Sequence, residues 1–528
     1  MSLLRSAATV GGFTLISRIL GFVRDVLLAA LLGAGPVAEA FVVAFRLPNL
    51  FRRFFGEGAF NSAFVPLFAK RLEGEGADSA RRFAEEALAW LLFALLVFTA
   101  VAEALTPLLV WILAPGFYTD PEKFDLAVLL TRIAFPYLLC MSLVALLSGV
   151  LNSLHRFAAA AAAPILLNIV LIATLALAWF MGWQESPQAG IALAVGVTVA
   201  GLLQLAMLWV AAARAGFALK IRRPRPGPAM KRLLMLGIPG VIAGGITQLN
   251  LVISTIIASW QEGAPAWLYY ADRVYQLPLG LIGVAIGIVL LPDISRRLRA
   301  GDETGVHAAQ NRALEFALLF TVPSAIALMA MPQPVVQVLY ERGAFTPEDT
   351  RATATALAAF AAGLPAYVMI KVFSPGFFAR EDTKTPMIYA GISAAVNITG
   401  AIALFPWLQH VGIALATAAA AWVNAWLLAR TLQRRGAWAT DDRLRRSLWG
   451  ILASALVMGG VLLVAMQWIG GFFTPEFLFL FRLGLLAGLV LIGVVVYFGM
   501  TWLFGIIDRS TLRQALRRPP DGTERRQT

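Results

Sequence analysis

What most constrains this chain is the return, from one end to the other, of apolar stretches about 20 residues long, each enough to cross a bilayer as a helix. Hydrophobic residues make up 59% of the 528 and charged residues 14%, against roughly 25% charged in an ordinary soluble protein. The chain therefore reads as an all-α polytopic membrane protein. A spanning barrel would instead show segments of about 10 residues with alternating polarity. The single cysteine, Cys140, excludes an internal disulfide and a thiolate metal cluster. No glycine loop of the Walker type is present, which argues against ATP hydrolysis by the chain itself. A transporter is expected rather than an enzyme, with no cofactor and no metal site. The first apolar run lacks a small-residue cleavage site, so an uncleaved first helix is expected.

Dividing the apolar runs at glycine, proline and charge clusters gives fourteen transmembrane helices: 8–32, 35–69, 83–113, 124–152, 157–182, 189–213, 233–260, 265–295, 308–339, 352–379, 385–406, 411–433, 447–469 and 476–507. The formal net charge is +13, which on a soluble chain would suggest nucleic acid. Its distribution suggests otherwise. Loops on one side, counted with Arg430 at the adjoining helix end, hold 30 Lys and Arg, among them Lys70, Arg71, Arg81, Arg82 and the runs at 220–232, 296–299 and 434–446; the other side holds Lys123, Arg342 and Arg351. The positive-inside rule puts the basic side, with both termini, in the cytoplasm. The surplus is thus a topology signal, and no nucleic-acid partner is expected.

The first twelve spans read as two parallel copies of six. "GFYTDPE" (116–122) returns as "GAFTPED" (343–349); Pro48 answers Pro278, and Pro136 and Asn168 answer Pro365 and Asn397. The offsets lie between 227 and 230. An even number of helices per copy makes both copies enter from the same side, with an axis along the membrane normal. The implied domains are a lobe at 1–216, a basic linker at 217–232, a second lobe at 233–434, and two additional helices with a basic tail at 435–528.

Apart from Arg430 at the basic end of the twelfth span, ten basic residues remain inside the spans, each costing about 2.5–3.5 kcal/mol at a helix centre. Arg18 lies roughly 15 Å into the first helix and Arg24 roughly 24 Å. They sit about 120° apart around it, so both can edge one broad surface. In the second helix Arg46, Asn49 and Arg53 share a face, Arg52 lies beside them, and Glu57 stands one turn from Arg53. Pro48 distorts this helix. The eighth helix brings Asp272 and Arg273 about two turns below its outer end. Together these helices carry Arg18, Arg24, Arg46, Arg52, Arg53 and Arg273 against Asp25, Glu39, Glu57 and Asp272. Guanidinium forks left without carboxylates suit a diphosphate held bidentately. Structural roles compete with this reading: Glu57 is a local partner for Arg53, and Glu39, seven residues back, for Arg46. Asp25 and Asp272 would orient their neighbouring arginines. Arg132 and Arg482 are close enough to an outer helix end to snorkel. Asn168 and Asn397 suit interhelical hydrogen bonds.

Four stretches, "SRILGFVRD" (17–25), "AFRLPNLFRRFFGEGAFNSAFVP" (44–66), "YYADRVYQLPLGLIGVAIGIVLLP" (269–292) and "SPGFFAREDTKTP" (374–386), resemble the MurJ (MviN) family. These are lipid II flippases of the multidrug/oligosaccharidyl-lipid/polysaccharide exporter superfamily. The resemblance runs over essentially the whole chain. It implies a V-shaped pair of six-helix lobes around a cationic cavity, and a hydrophobic groove on the last two helices for a polyprenyl tail. It implies the substrate, undecaprenyl-diphosphate-linked disaccharide pentapeptide, carried across the bacterial inner membrane for peptidoglycan synthesis and cell shape. The positions matching the family's essential arginines are Arg18, Arg24, Arg52 or Arg53, and Arg273. Glu39 stands where members commonly have aspartate. Some members carry a sodium site; Asn397 and Thr417 match it, but Ala401 and the lack of an acidic residue in the seventh helix weigh against sodium coupling. A membrane potential is then a candidate for resetting the emptied cationic site.

The expected function is flipping of lipid II by alternating access, in a monomer surrounded by membrane lipids and with cell-wall synthesis proteins as candidate partners. The alternative is a cation-coupled exporter of drugs or of another polyprenyl-linked saccharide, which would want an acidic cavity. A non-transporting scaffold for cell-wall enzymes would leave the buried charge without a use.

Overall fold

Proline and aspartate set many of the helix starts. The computed structural model describes residues 3–52, 59–224, 227, 230–233, 235, 248, 250–474 and 476–506. The first half contains α1 (Leu3–Leu32), α2 (Pro36–Arg52), α3 (Ala59–Gly74), α4 (Ala77–Ala104), α5 (Thr106–Leu113), α6 (Pro121–Ala134), α7 (Pro136–Ser153), α8 (Phe157–Phe180) and α9 (Pro187–Arg214). The second contains α10 (Ala264–Arg299), α11 (Glu303–Ala330), α12 (Pro332–Tyr340), α13 (Pro347–Ala361), α14 (Leu364–Phe378), α15 (Lys384–Arg434), α16 (Asp442–Ile469) and α17 (Phe479–Leu503). Residues 250–258 are also helical, and no strand occurs among the described residues. Nine stretches are long and apolar enough to cross a membrane among the described residues. Half of the expected seventh span, 233–260, lies outside them.

Four of the expected spans divide in two. The breaks fall at Pro107, Pro136, Pro332 and Pro365, each in the first turn of the following helix. Proline has no N–H to carry the hydrogen-bond ladder through, but it fits a first turn. The breaks recur at nearly the repeat spacing, so the repeat is written into the interruptions as well as the motifs. In the other direction, 385–406 and 411–433 run together as α15, interrupted only at Gln409 (φ 49°, ψ −133°). Elsewhere aspartates cap helices: Asp120 accepts from the Lys123 N–H, Asp302 from Gly305 and Asp441 from Leu444.

The chain packs as two compact units that interleave along the sequence. The first comprises Met1–Val274, Leu339–Leu357 and Met387–Ala420; the second comprises Tyr275–Val338, Ala358–Pro386 and Ala421–Thr528. Within the first unit the repeated motif does the same job twice. The Gly116 N–H donates to Ser259 Oγ at 3.1 Å, and the Ala344 N–H donates to the Ala30 carbonyl at 2.9 Å. A Cβ at Gly116 would strike the Ser259 carbonyl, and one at Gly343 (φ +58°) the Ala30 carbonyl. Each copy of the motif therefore docks on the first helix of the other copy. This exchange explains why residues 339–357 belong to the first unit.

The second unit is tied by polar groups at the start of α16. Asn311 donates to the Ala439 carbonyl and accepts from Trp438 Nε1. Glu315 accepts from Ser447 Oγ at 2.7 Å and pairs with Arg312, which also reaches Asp441. Tyr497 of α17 donates to the Leu319 carbonyl at 2.7 Å. Between α11, α16 and α17 lies an apolar cleft of about 200 Å³, with Leu319, Pro323, Met458, Leu462 and Val490 among its walls.

Candidate functional site

The site forms in the first unit, where α1, α8 and the start of α10 come together. α1 offers Arg24 and Asp25 in consecutive positions. The Arg24 guanidinium folds back on the neighbouring carboxylate, with Nε and Nη2 at 3.0 and 2.7 Å from Asp25 Oδ1. Its Nη1 donates to Asn168 Oδ1 at 3.0 Å, and Asn168 in turn donates to the Ser17 carbonyl at 2.9 Å. Asn168 thus holds α1 and α8 together and fixes the arginine as well. Gly21 leaves room for this amide, which would lie 3.6 Å from a Cβ there. From α10, Tyr269 donates its hydroxyl to Asp25 Oδ1 at 2.9 Å. One turn further on, Arg273 stacks its guanidinium over the Tyr269 ring at 4.7 Å and approaches Asp25 Oδ2 with Nε at 3.5 Å. At that distance it is an ion pair without a hydrogen bond; Arg273 Nε has no hydrogen-bond partner among the described residues.

Two guanidiniums therefore share one carboxylate. Asp25 is almost fully buried (3% side-chain exposure), Arg24 is mostly so (13%), and Arg273 is 37% exposed. With Arg46 and Asp272 within electrostatic reach of Arg273, three guanidiniums face two carboxylates, so the cluster keeps a positive charge, and Arg273 is accessible. Such an arrangement can offer a fork of donors to an oxyanion while the carboxylate fixes the geometry.

The other expected residues differ widely in their surroundings. Arg18 is exposed and has neither hydrogen bond nor ion pair among the described residues. Arg46 donates to Thr255 Oγ, whose hydroxyl donates to the Leu251 carbonyl. Asn49 donates to the Phe45 carbonyl at 3.0 Å, beside the gap that Pro48 leaves in the α2 ladder. Asp272 is half-buried. Arg52 closes α2; Arg53 and Glu57 lie outside the described residues.

Glu39 has a different partner from the one its spacing suggested. It does not pair with Arg46: it is fully buried, bonded to Lys123 Nζ at 2.9 Å, and accepts the Gly263 N–H at 2.8 Å. Lys123, read as a loop charge, is only 8% exposed and packs over the Phe117 ring at 4.7 Å. Residues 84 positions apart make this pair, and no local signal joins them. Tyr269 and Asn168 complete the cluster; Asn168 stood out only as an interhelical hydrogen-bond residue, and Tyr269 not at all. Arg482 does not snorkel: it is 7% exposed, with Nε and Nη1 lacking partners among the described residues. The matched sodium positions are bonded directly to one another. Asn397 Nδ2 donates to Asn250 Oδ1 at 2.6 Å, and the Thr417 hydroxyl, whose one proton is shared with the Ile413 carbonyl at 2.8 Å, lies 3.1 Å from Asn397 Oδ1. No group of His, Cys, Asp and Glu suited to a metal occurs among the described residues.

The helical architecture, with its repeated proline breaks, and a cationic site on α1, α8 and α10 define a multi-pass membrane transporter. The same architecture occurs in a solved inward-facing multidrug resistance MATE family transporter of the MOP superfamily (TM-score 0.67, 13% identity, covering 81% of this chain and 98% of that one). At that identity the likeness is one of fold. A family model described as "Lipid II flippase MurJ" matches residues 28–484, and the chain belongs to that family. A probable lipid II flippase MurJ of Rhizobium meliloti is 53% identical over 470 residues, covering 89% of this chain and 88% of the relative. The probable lipid II flippase MurJ of Rickettsia prowazekii is 40% identical over 429 residues, covering 81% and 83%. A solved lipid II flippase MurJ in an inward closed conformation superposes with a TM-score of 0.78 at 27% identity, over 96% of this chain and 99% of that one.

Proposed function

We propose that this chain flips lipid II, an undecaprenyl-diphosphate-linked disaccharide pentapeptide, from the cytoplasmic to the periplasmic leaflet by alternating access. Arg24 and Arg273 hold the diphosphate. The observation that carries the reading is the sharing of Asp25 by two guanidiniums, with Arg273 both accessible and incompletely satisfied. A diphosphate supplies the missing negative charge and accepts from both forks. Arg18, exposed and one to two turns nearer the basic side on α1, meets the headgroup first as it enters. The apolar cleft beside α16 and α17 suits a polyprenyl chain in character. The concentration of basic loops on one side supports cytoplasmic termini and an inner-membrane setting.

Rebinding from the inside requires the empty site to return. The Asn250–Asn397–Thr417 triad, neutral and mutually bonded, leaves no carboxylate for a sodium ion there, so the return is independent of sodium. A membrane potential acts on the net positive charge with about 2.3 kcal/mol per charge per 100 mV.

The test places the full chain in cells depleted of their own flippase. The parent chain restores export of the lipid-linked precursor, equally well in sodium and potassium media. Arg24→Ala and Arg273→Ala reach the membrane at parental levels but leave the precursor on the cytoplasmic face. Normal export by either variant overturns the assignment of the site, and a strict need for sodium overturns the reading of the triad.

A further inference from the structure

A second cationic cleft lies in the first unit at the basic-loop ends of α7, α8 and α9, the ends that the positive-inside rule assigns to the cytoplasm. Its volume is about 370 Å³. His155, Arg156 and Arg214 line it together with Leu151, Phe157 and alanines of α8 and α9, and no carboxylate is among its walls as formed by the described residues. It is separate from the Asp25 cluster: Asn168 lies further along α8 from Phe157 by roughly 17 Å.

The local backbone explains how the charges gather. α7 ends with the Arg156 N–H returning to the Leu151 carbonyl at 2.8 Å, and His155 takes the left-handed position (φ 58°) that usually belongs to glycine. Arg156 then becomes the N-cap of α8, with no side chain capping the helix. This is an unfavourable place for a cation, because the exposed N–H groups of the first turn already carry partial positive charge. Arg214 comes from the last turn of α9. Neither Arg156 nor Arg214 has an ion-pair or hydrogen-bond partner for its side chain among the described residues. His155, Arg156 and Arg214 are exposed at the mouth of the hollow, so an anion entering it meets two guanidiniums and an uncapped first turn together.

We propose that this cleft binds the phosphate of an anionic inner-leaflet lipid. The two guanidiniums and the first-turn N–H groups of α8 would hold the phosphodiester, with His155 as a further donor. Leu151, Phe157 and the alanines would take the glycerol and the upper part of an acyl chain. A free phosphate ion would use the donors but not the apolar walls, so the lipid is the better fit. The binding is independent of the transport reading, since no residue of the cleft belongs to the Asp25 cluster.

The experiment measures binding of dioctanoyl-phosphatidylglycerol to the detergent-solubilised full chain by native mass spectrometry, with dioctanoyl-phosphatidylcholine and inorganic phosphate as comparison arms. The glycerol lipid should bind more tightly than either. Arg156→Gln and Arg214→Gln should each weaken it about tenfold, and the double variant about a hundredfold. Arg299→Gln, an exposed basic residue elsewhere, should leave it unchanged. Arg214→Lys, which keeps the charge and loses the fork, should weaken it a few-fold and serves should the double variant fail to fold. Undiminished binding to Arg214→Lys and to a folded double variant overturns the proposal. So does phosphatidylcholine or inorganic phosphate binding as tightly as phosphatidylglycerol.

Discussion

Two buried carboxylates of the first unit, Glu39 on α2 and Asp25 on α1, answer the same problem in opposite ways. Glu39 has one cation and one amide: Lys123 at 2.9 Å and the Gly263 N–H at 2.8 Å, with side-chain exposures of 0% and 8% across the ion pair. Charge balances and water is shut out. Asp25 has two guanidiniums and a phenol, and the outer guanidinium is 37% exposed. Charge does not balance, and the site stays open on its cationic side. An ion pair that is neutral and sealed has nothing to offer a ligand. One that is overloaded with cations and partly wet is poised to take an anion. Counting charges along a helix does not separate these cases; counting partners does.

The largest effect expected from this contrast is on stability at Glu39. Glu39→Gln leaves Lys123 buried without a counter-charge and should destabilise the protein by about 3–5 kcal/mol. Thermal unfolding of the purified protein and its level in the membrane would report the loss. Adding Lys123→Met, which removes the stranded charge, should restore most of it. If the single variant is as stable as the parent, the sealed pair is not structural and the contrast with Asp25 falls.

A smaller effect, on binding and not on stability, is expected at Tyr269. Tyr269→Phe keeps the ring beneath Arg273 and removes only the hydroxyl that donates to Asp25. Arg273 is then free to close on the carboxylate, and a diphosphate must compete for it. The apparent affinity for substrate should fall about tenfold, in line with one hydrogen bond to a charged acceptor, while the maximal rate changes little. Transport measured over a range of substrate concentrations separates the two. A fall in rate with unchanged affinity would mean that Tyr269 serves the conformational step and not the anion site.

The sequence made the broad plan legible because the plan rests on apolar length and on repetition, both one-dimensional. The two glycine motifs, the prolines and the charged positions of α1 and α10 could be read in register, and Arg24 and Arg273 do meet. What was not legible depends on distant partners. Glu39 and Lys123 are far apart in sequence, and a lysine in the first turn of α6 looks like any loop charge. Tyr269 sits in an aromatic pair, "YY", where nothing marks one hydroxyl as a donor to Asp25. Arg482 stood near a helix end, and only packing decides that it turns inward. The divided spans are the exception. Proline marked every break, and the apolar runs continued across them because the bilayer requires apolar length while the hydrogen-bond ladder requires an N–H.

The smallest effect is expected outside the membrane, at a carboxylate that shares features of both buried ones. Asp382 accepts from Arg435 Nη1 at 2.6 Å, from the Thr385 hydroxyl at 2.7 Å and from the Thr385 N–H at 2.9 Å. The Arg435 hydrogen bond, followed by those from Thr385, pulls its pKa down to about 2. It is balanced like Glu39 and accessible like Arg273, with Arg435 half exposed. Because the folded pKa lies below the unfolded value of about 3.9, the carboxylate contributes stability above that value and loses it as pH falls through about 2. Water screens the pair, so the contribution should stay within about 1 kcal/mol. Asp382→Asn should therefore lower the melting temperature slightly at neutral pH, and the difference should shrink as pH falls through about 2 and vanish only well below it, where the parent carboxylate is itself protonated. A large loss at neutral pH would show that accessibility does not weaken such a pair here. The open side of the Asp25 cluster would then have to be explained by its unbalanced charge alone.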